Sequence, residues 1–218
     1  MCGLVVFDLD GTLVDSRQDL AEATNDVLAE LGAPPLPVAV VTRMVGDGAR
    51  MLVARALEAA GVEADVDVAL AAFHRAYAGR LTATTRPYVG IPELLESLAA
   101  TTTLAVLTNK PLAPTQRLLD AFGWTSHFAG VIGGDGPFGR KPDPAGLVSL
   151  MSQAGTSPAQ TVMVGDSMAD VQVARRAGVR MCFAGYGFGS ARGDVRLSGT
   201  ERVAGSAADL LRLLTEEW

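Results

Sequence analysis

Leu4-Val5-Val6-Phe7-Asp8-Leu9-Asp10-Gly11-Thr12-Leu13, near the amino terminus of a 218-residue chain, sets an aliphatic run against two acids and a glycine. A short β-branched run that breaks at Gly reads as a buried parallel strand passing into a loop. Ligands of open α/β sheets lie outside the carboxyl ends of such strands, which is where Asp8 and Asp10 stand. Because Leu9 separates them, both carboxylates can face one side of the emerging chain, where they repel unless a cation or a proton intervenes. The stretch asks for a metal ion.

Outward from this strand the pattern first turns helical. Leu20, Thr24, Val27, Leu28 and Leu31 recur at helical spacing, Gly32 marks a stop, and Pro34 and Pro35 follow. Segments 49–60 and 66–81 are rich in Ala, Leu and Arg and predict two more helices with no strand between them, and Arg86-Pro87-Tyr88-Val89-Gly90 reads as a return loop. Beyond it, short apolar runs at 104–107, 131–132, 162–164 and 181–184 predict strands. Helices are expected at 93–100, 114–122, 145–154, 168–177 and 207–214. That alternation implies an α/β fold with a mostly parallel sheet covered on both faces. Residues 185–193 contain four glycines and read as a flexible loop; no helix begins there, so they make a poor phosphate cradle.

A hydrophobic content of 49% is enough for a full core. The net charge of −6 argues against a nucleic-acid partner, although a local cation can still hold a small anionic substrate. No apolar run approaches the roughly 20 residues that span a bilayer, and Met1-Cys2-Gly3 does not open a signal peptide, so no membrane association and a cytoplasmic location are expected. Cys2 and Cys182 are too few for a disulfide framework, and Cys182 reads as a buried free thiol. His74 and His127 have no ligand partners at metal spacing, which favours packing or exposure.

Four further groups stand at or near strand ends: Thr108-Asn109, Arg140-Lys141-Pro142, Gly165-Asp166 and Asp170. A parallel sheet brings them to one edge with Asp8 and Asp10, assembling carboxylates, a hydroxyl and an ammonium. Oxygen-only ligands favour Mg²⁺ over zinc. A carboxylate attacks phosphorus only when the phosphate charge is neutralised, a task for Mg²⁺ and Lys141 while Thr108 donates a hydrogen bond. Asp8 is then the expected nucleophile, and Asp10 protonates the leaving alkoxide and later deprotonates water.

Asp8-Leu9-Asp10-Gly11-Thr12-Leu13, Leu107-Thr108-Asn109, Lys141-Pro142 and Gly165-Asp166-Ser167 through Asp170 resemble, in order, the four motifs of the haloacid dehalogenase-like hydrolase superfamily. The resemblance implies a Rossmann-like core formed by 1–15 and 87–218 and an inserted alpha-helical cap over 16–86. It implies Asp8 and Asp10 as catalytic residues, Thr108, Asn109 and Lys141 as phosphate binders, and Asp8, Asp10, Asp166 and Asp170 around Mg²⁺, with Ala169 standing where many relatives have Asn. The cap loop around Arg43, Gly46, Asp47, Gly48 and Arg50 is the expected substrate contact; Arg43 or Arg50 would pair with a substrate carboxylate or simply face solvent. Gly46-Asp47-Gly48-Ala49-Arg50 and Gly133-Gly134-Asp135 are similar to phosphoglycolate phosphatase sequences, which makes a small phosphorylated metabolite the expected partner and 2-phosphoglycolate the first choice. Asp135 itself reads either as a turn residue or as a support for the phosphate loop.

Sugar and amino-sugar phosphate phosphatases, and a phosphosugar mutase, share much of this pattern. Dehalogenases and phosphonate hydrolases of the superfamily typically lack an acid at the position of Asp10. A phosphoaspartate signalling receiver uses similar residue types but has no place for a helical insertion. Either a monomer or a homodimer is compatible with the sequence.

Overall fold

The computed structural model describes residues 2–189, 193 and 195–216. Its centre is a parallel six-stranded sheet in the order β5-β4-β1-β6-β7-β8, where β1 is Leu4–Phe7, β4 Thr103–Leu107, β5 Phe128–Ile132, β6 Thr161–Gly165, β7 Arg180–Ala184 and β8 Arg202–Ala204. β1 lies between β4 and β6, with Phe7 in register with Val106 on one side and Val164 on the other. The chain first adds strands on one side of β1 and then crosses to the other, so a crevice opens at the carboxyl ends of the central strands.

Alternation along β1 divides the core. Val5 and Phe7 face one layer with α5 (Ile91–Ala99), α6 (Leu112–Ala121) and α9 (Ala207–Thr215), while Leu4 and Val6 face the other with α7 (Ala145–Ala154) and α8 (Met168–Ala177). Buried Ile91, Leu94, Leu95 and Leu98 pin α5 to the sheet, each contributing about 2 kcal/mol before chain entropy is subtracted.

Between β2 (Val14–Asp15) and β3 (Arg86–Pro87) the chain is helical: α1 (Arg17–Glu30), α2 (Val38–Thr42), α3 (Ala49–Ala60) and α4 (Val66–Arg80). The expected boundaries hold within a few residues, and Asp65 caps α4 by accepting the Asp67 and Val68 amides. Several short elements were not anticipated. α2 is five residues long and begins straight after Pro37, too short to show a period. The return segment at Arg86–Pro87 pairs antiparallel with Val14–Asp15, a contact across some 70 residues of intervening chain that local pattern does not carry. β8 holds one buried residue, Ala204, on an edge strand that begins with Arg, so it lacks the apolar run that marks the inner strands. No helix among the described residues is long and apolar enough to cross a membrane.

The two connections to the helical segment are clasped by Asp19. Its fully buried carboxylate accepts the Thr84 amide at 3.0 Å, the Thr85 amide at 2.7 Å and both threonine hydroxyls at 2.6 Å. Burial pushes this carboxyl up, but the hydrogen bonds from Thr84 and Thr85 outweigh it and hold the pKa below its ordinary value. A depressed folded pKa stabilises above the unfolded pKa near 3.8, and that stability is lost as pH falls through the folded value. Asp19→Asn is therefore expected to lose about 2–4 kcal/mol in urea denaturation at pH 7, with the deficit shrinking below pH about 4. Equal midpoints at pH 7 would show that the clasp does not hold the connections.

Candidate active site

Asp8 follows the last residue of β1, and its amide donates to the Val164 carbonyl of β6 at 2.8 Å, which carries the sheet ladder up to the site. The chain then turns sharply: the Leu9 carbonyl accepts the amides of Thr12, Leu13 and Val14. Gly11 takes φ 87°, and a Cβ there would sit 2.4 Å from Asp166 Oδ2, so only glycine lets the turn close on that carboxylate.

Asp8, Asp166 and Asp170 are all buried, and one carboxylate oxygen of each lies within 4.8 Å of the others. Lys141 Nζ is 2.7 Å from both Asp8 Oδ1 and Asp170 Oδ1. The second oxygen of Asp170 closes a capping box at the start of α8, accepting the Ser167 amide at 3.0 Å and the Ser167 hydroxyl at 2.6 Å. Asp166 accepts the Gly189 amide at 3.0 Å and the Thr12 hydroxyl at 3.3 Å. The glycine loop after β7 is thus closely packed where it is described: a Cβ on Gly189 would overlap the Asp166 carbonyl at 1.6 Å. Those glycines serve close approach as well as turning; residues 190–192 of the expected flexible loop lie outside the described residues.

One ammonium among three buried carboxylates leaves the cluster short of positive charge. Burial pushes the Asp8 carboxyl up to about 6, Lys141 pulls it down and Asp170 pushes it back. Burial, then repulsion from Asp8 and Asp170, raises Asp166 well above the carboxylate range. Burial opposes the charge on Lys141, but Asp170 and Asp8 hold its pKa up to about 12. An all-oxygen donor set with excess negative charge fits a hard divalent cation.

Asp10 points away from this cluster. Its Oδ1 accepts the Ser16 hydroxyl at 2.6 Å, and Lys110 Nζ approaches Oδ2 at 3.0 Å. Ser16 stands at the N-cap of α1 but makes no capping bond; its hydroxyl is turned to Asp10 instead. Burial opposes the Lys110 charge, but Asp10 and then Tyr77 override it and raise the pKa. Thr108 is buried at the end of β4 beside the pocket. The Asn109 side chain is committed to backbone, accepting the Lys141 amide at 2.8 Å and donating to the Gly46 and Lys141 carbonyls. It ties the Lys141 loop to the helical segment. Asp135 accepts the Leu112 amide at 2.8 Å and so supports the start of α6.

A cavity of about 70 Å³ lies between the sheet edge and the helical segment, lined by Asp8, Asp10, Thr108, Asn109 and Lys110 from below and by Gly46, Gly48, Leu52, Phe73, His74 and Tyr77 from above. Of the loop residues singled out above, Gly46 and Gly48 line it. Arg50 is at the surface, paired with Asp67 at 3.0 Å; Asp47 pairs with Arg55 at 2.6 Å; Arg43 lines a separate cavity with Arg17 and Arg86.

The sequence profile of haloacid dehalogenase-like hydrolases matches residues 5–184, a span that runs from β1 to the end of β7 and contains Asp8, Asp10, Thr108, Asn109, Lys110, Lys141, Asp166 and Asp170. The chain belongs to this family. It is 44% identical over 195 residues to a phosphoglycolate phosphatase of Pseudomonas putida, covering 87% of this chain and 71% of the relative. It is 39% identical to a plasmid-borne phosphoglycolate phosphatase of Cupriavidus necator, covering 98% of this chain and 94% of the relative. The crystal structure of a predicted phosphoglycolate phosphatase from Haemophilus somnus superposes with a TM-score of 0.87 at 31% identity, covering 97% of both chains. This member of the haloacid dehalogenase-like hydrolases is thus phosphoglycolate phosphatase-like in both sequence and fold.

Two groups that line the pocket, Lys110 and Tyr77, and one behind it on Asp10, Ser16, carried no functional signal in the sequence. Lys110 adjoins Thr108-Asn109, so its place at a strand end was legible, yet a loop lysine is ordinarily solvated. Ser16 carried only the signal of a helix cap. Tyr77 lies on α4 one turn from Phe73, on which it stacks at 5.6 Å, and spacing alone makes it a core residue. His74, read as packing or exposed, stands on the pocket wall.

Proposed function

We propose that the protein is a Mg²⁺-dependent phosphatase of small phosphate monoesters, 2-phosphoglycolate first among them, working through an aspartyl phosphate on Asp8. The observation that carries this reading is the division of labour between two adjacent acids. Asp8 is buried against Lys141 and two further carboxylates, while Asp10 is turned to the pocket on Ser16 and Lys110. Family membership and the phosphoglycolate phosphatase names of the relatives support the same substrate class.

In this scheme an Asp8 oxygen attacks phosphorus and the ester P–O bond breaks, with the proton on Asp10 passing to the departing alkoxide. Asp10 then takes a proton from water as that water attacks the phosphoaspartate, releasing phosphate and restoring Asp8. Asp8, Asp166 and Asp170 would hold Mg²⁺, which would supply the positive charge that lets an anionic nucleophile approach a phosphate dianion. Lys141 neutralises the phosphoryl oxygens, the Thr108 hydroxyl donates to one of them, and Asn109 keeps the Lys141 loop in place. Residues 16–86 act as a cap on the core formed by 1–15 and 87–218, opening and closing at the paired strands β2 and β3.

The test is phosphate release in Mg²⁺ across 2-phosphoglycolate, sugar phosphates, amino-sugar phosphates, nucleotides and pyrophosphate. The highest kcat/KM is expected for 2-phosphoglycolate. Isomerised sugar phosphate without free phosphate would replace the phosphatase with a mutase.

A further inference from the structure

Lys110 is left over by the chemistry above. The phosphoryl group belongs to Lys141, on the far side of Asp8, yet a second ammonium is buried at the pocket wall beside the proton carrier. Of the pocket-lining residues described, Lys110 is the one lysine or arginine, since Arg43 and Arg50 are placed elsewhere and burial holds His74 below its ordinary pKa.

Its neighbours add a second donor. Lys110 Nζ donates to the Tyr77 hydroxyl at 2.6 Å and lies 4.4 Å from the centre of that ring. An ammonium cannot accept, so the Tyr77 proton is not spent on Lys110, and among the described residues it finds no other acceptor. Stacking on Phe73 fixes the ring. A buried cation and a free hydroxyl proton therefore meet at one spot, in a wall whose other side chains include Leu20, Val45, Leu52, Phe73 and His74.

The position of this pair relative to Asp10 decides what it can read. The ester oxygen that receives the proton must lie within hydrogen-bond reach of Asp10. Lys110 Nζ is 3.0 Å from Asp10 Oδ2, so a group two covalent bonds from that oxygen falls beside Lys110. A carboxylate on the carbon that bears the ester oxygen is such a group. Sugar hydroxyls would meet mainly apolar side chains here and lose their hydrogen bonds with water.

Resting on the phosphatase reading, we propose that Lys110 and Tyr77 form a carboxylate subsite that selects small 2-phosphooxy-carboxylates over esters with neutral tails. The subsite spans core and cap, because Lys110 precedes α6 and Tyr77 belongs to α4, so a bound carboxylate also holds the pocket closed.

The test compares kcat/KM for 2-phosphoglycolate and its neutral isostere 2-phosphoglycolamide in the wild type, Lys110→Met, Lys110→Arg and Tyr77→Phe. Loss of the Lys110 contact to Asp10 slows both substrates alike and cancels in their ratio. The wild type is expected to favour the acid by about 100-fold or more, and Lys110→Met to bring the ratio within about threefold of one. Lys110→Arg keeps most of the preference, and Tyr77→Phe gives an intermediate ratio. An unchanged ratio in Lys110→Met overturns the subsite while leaving the phosphatase intact; a wild type that hydrolyses neither ester overturns both. Should Lys110→Met be too slow or fail to fold, calorimetry of the wild type with Mg²⁺ decides. It should bind 3-phosphonopropionate at least about tenfold more tightly than propylphosphonate, and equal affinities overturn the subsite.

Discussion

Asp8→Asn is expected to lower kcat by about 10⁴-fold or more with the fold intact. The amide presents a weak nucleophile at the point where Lys141 and the carboxylate cluster converge, so no covalent intermediate forms. Lys141 keeps its 2.7 Å partner Asp170, which is why the variant should still fold. Asp10→Asn behaves differently. It retains the nucleophile but cannot give or take the proton, so turnover should drop by about 10²–10⁴-fold. Good leaving groups, which need no proton, should still phosphorylate Asp8, and the phosphoenzyme should accumulate because water is no longer activated. Acid quenching followed by intact-mass measurement distinguishes the two variants: a phosphoryl adduct on Asp10→Asn and none on Asp8→Asn. Wild-type turnover in Asp8→Asn would sink the mechanism.

Removal of divalent metal should abolish activity and change the pH dependence of stability. In the metal-free protein the Asp8 pKa is raised from 3.8 to about 6, chiefly by burial. A raised carboxyl pKa means that the folded state binds the extra proton, so stability falls as pH rises through this window. The loss from Asp8 alone is on the order of 2 kcal/mol between pH about 4 and 7. Asp166, also raised by burial and then by its two acidic neighbours, adds to the decline. Saturating Mg²⁺ should flatten the profile, since a cation favours the ionised carboxylates and binds only the folded site. Thermal midpoints across pH 4–8, with chelator and with Mg²⁺, provide the check. Parallel profiles in the two conditions would show that the cluster holds no metal. Asp166→Asn adds a control, being expected to stabilise the metal-free protein and to lose most of the response to Mg²⁺.

Much of the core was legible because its signals are local. Phe7 through Leu13 announces a strand, two acids and a turn within seven residues, and the turn forms as read because Gly11 alone tolerates both its φ and the approach of Asp166. Asp166 and Asp170 sit at a strand end and three residues into a helix cap, positions that short-range pattern specifies. Local pattern does not choose between partners where a side chain has several within reach. Arg50, a plausible carboxylate reader by type, is drawn to Asp67 at the surface, and Asp47 to Arg55. Asn109, expected on the phosphate, spends its amide on the backbones of Lys141 and Gly46.

The sequence by itself determined the α/β class, the all-helical segment between the first two long strands, and the acids, hydroxyl and lysine that the proposed phosphoryl site would use. These follow from periodicity, turn chemistry and residue type, all of which act over a few positions. The tertiary structure decided which cation meets which acid: Lys141 is set on Asp8 and Asp170, and Lys110 on Asp10, a hundred residues distant along the chain. It also decided that Tyr77 of α4 closes over Lys110 and that Asp19 clasps Thr84 and Thr85. Charge pairing in a buried site is set by burial and distance once the sheet order has brought remote strand ends together. Because Coulomb attraction and desolvation depend on spatial and not sequence separation, no local pattern could assign those partners.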